Sequence, residues 1–244
     1  MTLADNKGKG NTTNYVDIEP IKHFDTPSDS ELKDELCTPY NLTEDHHFTF
    51  RRDGFIKLPN VLSPGAVVRL REELIRLLSK TFPESNRSNR FLSLEMMWIE
   101  SPIIRQYVLS PRMAKISADL LSVKSVRLYH DQALYKSPRG GMTPWHCDQY
   151  YWPLDTDKTI TAWIPLQDTP VEMGAVVFSV GSHHIPMGRN LPIGDDSQQV
   201  ISDNLNRLGL EHVEQNFEAG DVSFHWGGRS KVPVPISRID HASL

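Results

Sequence analysis

The chain has 244 residues, 39% hydrophobic and 23% charged, with 31 acidic against 26 basic side chains for a formal charge of -5. That is the balance of a globular chain with a sizeable core, and it argues against a broad phosphate-backbone binder. No apolar run reaches the roughly 18 residues of a membrane span, and no apolar region before Tyr15 suggests a secretory leader.

Cys37 and Cys147 are the only cysteines. They are too few for a disulfide framework or a four-cysteine zinc site, so a reducing, cytosolic setting is expected. In chain order, residues 1–43 are polar and irregular and read as a flexible arm with some local packing. Residues 44–244 read as a single domain. Around Phe48–Leu58 a helical end, a break at Gly54 and a strand are expected. Ser63-Pro64 is a capping signal, and Val67, Leu70, Leu74, Leu77 and Leu78 recur at helical spacing, so Ser63–Ser79 reads as an amphipathic helix. Ser110-Pro111 opens a second helix, ending near Ser122. Beyond Val123 the pattern turns to strands: 126–134, 160–166, 175–178 and a turn-strand over 220–225. Residues 186–217 hold no strong strand and read as an insertion or lid with a short helical piece. Strands without regular alternation with helices favour a mainly β barrel or sandwich with flanking helices.

The densest chemical signal is Pro144-Trp-His-Cys-Asp-Gln-Tyr-Tyr-Trp-Pro153. In an extended segment residues i and i+2 share a side, so His146 and Asp148 can present an imidazole and a carboxylate to one ion. The competing reading is a structural histidine beside a surface carboxylate. Clustered basic and aromatic residues for nucleic acid, a glycine-rich phosphate loop and a Gly-x-Ser-x-Gly nucleophile frame are all missing.

This stretch resembles the phytanoyl-CoA dioxygenase (PhyH) family of Fe(II)- and 2-oxoglutarate-dependent oxygenases. The matching segments are Arg52-Asp-Gly-Phe, Leu62-Ser-Pro, Asp131-Gln-Ala-Leu-Tyr-Lys136, Thr143–Pro153, Thr161–Asp168, Gly174, Gly181-Ser-His183 and Gly220–His225. The resemblance implies a double-stranded β-helix, a jelly-roll or cupin-like barrel, with iron at its mouth. It also implies oxidation of a small organic substrate with dioxygen and 2-oxoglutarate, without nucleic-acid or membrane partners. By the same resemblance His146 and Asp148 are the first two iron ligands. Gln132 lies toward the 2-oxoglutarate side or is an amide satisfied within the sheet. Trp163 lines the same cavity or packs in the core. Tyr135, Lys136, Tyr151 and Trp152 sit near the substrate entrance, and His183 is structural.

The agreement stops after Gly227. About six residues past His225, where the resemblance expects the remaining ligand histidine, stands Lys231, whose ammonium must lose a proton before it can bind a metal. The arginine that would pair with the 2-oxoglutarate carboxylate has only Arg238 nearby, out of register. Few residues remain for the last barrel strands, and Val232-Pro-Val-Pro235 is a poor strand. Three readings stay open: His225 recruited as third ligand with Arg229 or Arg238 as the acid anchor; a divergent tail with a broken site; and a catalytically inactive binding or regulatory relative.

Overall fold

The computed structural model describes residues 24–83, 91–136, 143–185 and 187–227, together with the backbone of Ser237–Ile239. Arg229, Lys231 and the proline-rich 232–235 lie outside these.

Five helices gather in the first half. Helix α1 (Asp29–Cys37) starts on a capping box in which Ser28 and Glu31 satisfy each other's backbone N–H, and Thr43 does the same for α2 (Glu44–Asp53) with His46. Helices α3 (Pro64–Thr81), α4 (Pro102–Val108) and α5 (Pro111–Leu120) all begin with Ser-Pro. The serine oxygen takes an otherwise free N–H, and proline has no N–H to leave unpaired. Leu32 and Leu36 of α1 pack with Leu70, Leu74 and Leu77 of α3 and with Ile104 and Tyr107 of α4. Each fully buried leucine contributes about 2 kcal/mol. Glu35 locks α1 onto the start of α3 by accepting from the Ser63 N–H and hydroxyl, both at 2.7 Å.

One antiparallel sheet runs in the order β1 (Phe55–Leu58), β7 (Val222–Trp226), β4 (Ile160–Trp163). Its register sets Phe55 and Thr161 on either side of His225, and Lys57 and Trp163 on either side of Ser223. Alternation along β7 divides its side chains. Val222 and Phe224 join Phe50, Ile56, Leu58, Met113 and Ile116 under the helices, whereas Ser223 and His225 face the other way. There the His225 ring lies 5.1 Å from Phe178. Phe178 belongs to β5 (Val176–Ser179), which pairs antiparallel with β6 (His212–Val213) and β8 (Ser237–Ile239). A separate hairpin joins β2 (Phe91–Glu95) to β3 (Gln132–Lys136). Helix α6 (Asp195–Leu208) lies within the segment expected as an insertion, and its Ile201 and Leu205 are wholly buried against Trp145, Val177 and Met187.

The mainly β jelly-roll barrel expected from the sequence is corrected by this architecture. Among the described residues helix outweighs strand, and the strands form three separate open sheets that no ladder joins. The strands are two to five residues long. Pro59 ends β1 after Leu58, and Pro165 follows β4 within two residues; each proline removes a ladder donor. The strand expected over 126–134 begins only at Gln132. Just before it, Asp131 turns inward and accepts from the N–H groups of Met97 (3.0 Å) and Trp98 (3.4 Å). Leucine-rich helices supply the apolar cover that further strands would give in a closed barrel. Among the described residues no helix is long and apolar enough to cross a membrane.

Candidate functional site

His146 sits in a short bridged segment, and Asp148 opens a 3-10 turn over Asp148–Tyr151. The two-residue spacing brings His146 Nε2 to 3.3 Å from Asp148 Oδ1. From the middle strand of the first sheet, His225 brings its Nε2 to 3.2 Å from the other oxygen, Oδ2. Thr161, level with His225 on β4, donates its hydroxyl to the same Oδ2 at 3.3 Å. Three chain segments therefore converge on one carboxylate. Both histidines are buried, and the Asp148 side chain keeps 20% of its surface exposed.

The electrostatics follow from these contacts. Burial by itself would push the Asp148 carboxyl up, but the hydrogen bonds from His146 and His225 outweigh it and hold the group far below the usual carboxylate range. Burial favours a neutral His146 ring, yet the hydrogen bond and charge of Asp148 raise its pKa above the ordinary histidine value. The second nitrogen of that ring, Nδ1, lies 2.8 Å from the Pro144 carbonyl oxygen. Both nitrogens of His146 thus face acceptors, an arrangement that favours the doubly protonated ring. His225 Nε2 also faces an acceptor, Asp148 Oδ2, while its buried Nδ1 has no hydrogen-bond partner among the described residues.

A metal ion needs the nitrogen lone pairs that protons at these positions would occupy. Two imidazoles and a carboxylate are the right donor types for iron, and here each imidazole meets the carboxylate, at 3.3 and 3.2 Å. Among the described residues no group of three His, Cys, Asp or Glu side chains is arranged to hold a metal ion. The residues as placed do not fit the iron centre that the sequence resemblance implies.

The other expected site residues are distributed around this cluster. Trp163 lies on β4 and packs edge-on against Phe217 at 5.0 Å. Gln132 is exposed and donates its amide to Glu95 across the β2–β3 pair at 3.1 Å. The backbone of Arg238, on β8, pairs with Val177 of β5. Trp152 covers Gly227, where an added Cβ would come within 2.4 Å of its ring, and it meets Tyr129 and His130 edge-on at 6.2 Å each. His183 packs against Gly54, with Nε2 3.1 Å from the Arg51 carbonyl oxygen. Thr161 was not anticipated; the available signal was its position two residues from Trp163, on the same strand face.

The family model described as Phytanoyl-CoA dioxygenase (PhyH) matches residues 50–228. An ectoine dioxygenase of Bordetella parapertussis is 26% identical over 155 residues, 58% of this chain and 50% of that protein, so the chain spans about half the length of this curated relative. Among solved structures, the non-heme alpha ketoglutarate dependent carbocyclase SnoK from nogalamycin biosynthesis is similar at a TM-score of 0.63 and 25% identity, over 83% of this chain and 87% of that one. The epimerase SnoN, in complex with Fe3+, alpha ketoglutarate and nogalamycin RO, is similar at a TM-score of 0.62 and 25% identity, over 81% of this chain and 83% of that one. The match to the family model runs from the end of α2 through β7 and takes in all three members of the His146–Asp148–His225 cluster, and on that ground the chain belongs to the phytanoyl-CoA dioxygenase family.

Proposed function

We propose that this chain is a catalytically inactive or regulatory member of its oxygenase family, with an incomplete metal site. The observation that carries the reading is the closure of His146 and His225 onto the two oxygens of Asp148. Both Nε2 atoms point at Asp148, so a metal would have to displace any protons held between them before it could bind. On this reading the capacity the chain retains is binding rather than turnover.

The convergence of three donors on one carboxylate favours a second reading. In it, loss of the Nε2 protons frees His146, His225 and Asp148 to hold Fe(II), with Arg238 as the anchor for 2-oxoglutarate and Gln132 and Trp163 lining its pocket. The chain would then oxidise a small organic substrate with dioxygen. Anaerobic titration with Fe(II) and 2-oxoglutarate separates the two. The first reading expects no visible charge-transfer band and no stoichiometric iron uptake. A band that saturates at one iron per chain overturns it in favour of the second.

A further inference from the structure

The segment 145–151, which carries His146 and Asp148, is held at both ends by the chain that contains α6. At the near end, the Trp145 N–H donates to Gln198 Oε1 of α6 at 2.9 Å. At the far end, the Tyr151 hydroxyl accepts from the Ile193 N–H at 2.8 Å, just before the helix starts. Between these two ties the contact is apolar. Trp145 is buried with Ile201 and Leu205 of α6 and with Met187, and its ring lies 5.2 Å from that of His212, which follows α6. Gly188 lets the backbone pass closely. With φ at +75°, a Cβ there would come 2.6 Å from Ile201 and 3.7 Å from the Cβ of Cys147, the residue between His146 and Asp148.

We infer that α6 and the turn before it position the His146–Asp148 segment, with Gln198 and Tyr151 as the positioning residues that fix its two ends. The geometry gives the reason. His225 comes from a strand in the middle of a sheet and is held by ladder bonds on both sides. His146 and Asp148 come from an isolated bridge and a single 3-10 turn, outside the strands of the described sheets. The short distances within the cluster therefore depend on something outside the sheet, and α6 is the element in contact with both ends. Movement of α6 carries His146 and Asp148 relative to His225, so an event at the surface of this helix is transmitted to the site. The inference concerns the metal-free cluster and stands whether or not iron enters.

The test uses the full chain without metal or co-substrate, which keeps it distinct from the iron titration. Amide exchange and imidazole NMR signals are compared between wild type, Gln198→Leu, Gln198→Glu and Tyr151→Phe. In Gln198→Leu, exchange at Trp145 is expected to speed up about tenfold and the His146 ring signals to shift, while exchange in α3 stays unchanged. Gln198→Glu retains an acceptor oxygen and restores the wild-type pattern. Tyr151→Phe, at a half-exposed ring whose loss of a hydroxyl leaves the fold intact, speeds exchange at Ile193 and moves the His146 signals. Unaltered His146 signals in both Gln198→Leu and Tyr151→Phe overturn the inference, as does a Gln198→Glu variant indistinguishable from Gln198→Leu.

Discussion

Substitution of Gly54 by alanine probes the junction on which β1 and the end of β7 both depend. Gly54 ends α2 in the left-handed region at φ +86°, a conformation that costs a residue with a side chain about 1–2 kcal/mol. The added methyl would also stand 2.3 Å from His183 Nδ1 and 2.6 Å from its Cγ. His183 is only 2% exposed, so its ring moves only by disturbing buried neighbours. Displacing it forfeits its contact with the Arg51 carbonyl, worth about 1 kcal/mol. Together these predict a loss of about 2–3 kcal/mol in unfolding free energy, measured by urea denaturation. In a His183→Ala background the clash is gone, and the same substitution should cost only the conformational part, about 1–2 kcal/mol. Equal losses in the two backgrounds would refute the account, because they would leave no role for the ring. The effect should also reach the site, since the Gly54 carbonyl accepts from the Trp226 N–H at 2.8 Å. The His225 signals are expected to shift in Gly54→Ala.

Three further outcomes are expected. Asp148→Asn removes the anion between two buried imidazoles and should lower stability by about 2–4 kcal/mol at pH 7; a thermal midpoint within a degree of wild type would contradict the closed cluster. Burial, and then the neighbouring His184 charge, depress His183 to about 4, against the partial support of Asp53 and the Arg51 carbonyl. Its unfolded value is higher, so the unfolded chain takes up the extra proton. The stability from keeping it neutral is complete above about pH 6.5 and falls as pH drops towards 4, by at most about 3 kcal/mol and roughly half that after solvent screening. The wild type should lose this increment between pH 7 and 4.5 and His183→Asn should not, as read from urea denaturation at each pH. Asp131→Ala leaves the Met97 and Trp98 N–H groups without their carboxylate and should cost about 1–3 kcal/mol, with faster amide exchange confined to 96–99 at first.

The parts of this fold that can be read from the sequence are those fixed by local chemistry. Ser63-Pro64 starts α3, Ser110-Pro111 starts α5 and Gly54 breaks α2 from β1, because caps and left-handed turns depend on few neighbours. The 175–178 strand also appears, shifted by one residue as β5. The barrel does not, because its closure depends on ladders between distant segments that no local pattern specifies. Residues 126–130 are β-branched and aromatic enough to read as strand, yet they find no partner, and Asp131 is drawn to the backbone of Met97 and Trp98 instead. At the site, the pairing of His146 with Asp148 follows from spacing alone. The arrival of His225 on the same carboxylate, 77 positions later, rests on the register of β7 between β1 and β4. Gln198 carried no signal at all, since an amide on a polar helix face looks the same whether or not it meets a backbone N–H.

Several segments that carry the family resemblance are staples of the frame, so the family is recognisable apart from its metal site. Gly181 donates its N–H to the Asp53 carbonyl at 3.0 Å, and His183 packs on Gly54, so Arg52-Asp-Gly-Phe and Gly181-Ser-His form one joint. Asp221 accepts from the backbone of Asn60 and Glu218 and pairs with Lys57, while Gly220 passes close to the Leu62 carbonyl. These contacts use backbone groups and hold with or without an ion. The cluster is different: both Nε2 atoms face Asp148, and a metal must displace any protons held there to gain the lone pairs. The frame can therefore be kept by selection for folding while the cluster responds separately to the end of β7, the strand from which His225 projects.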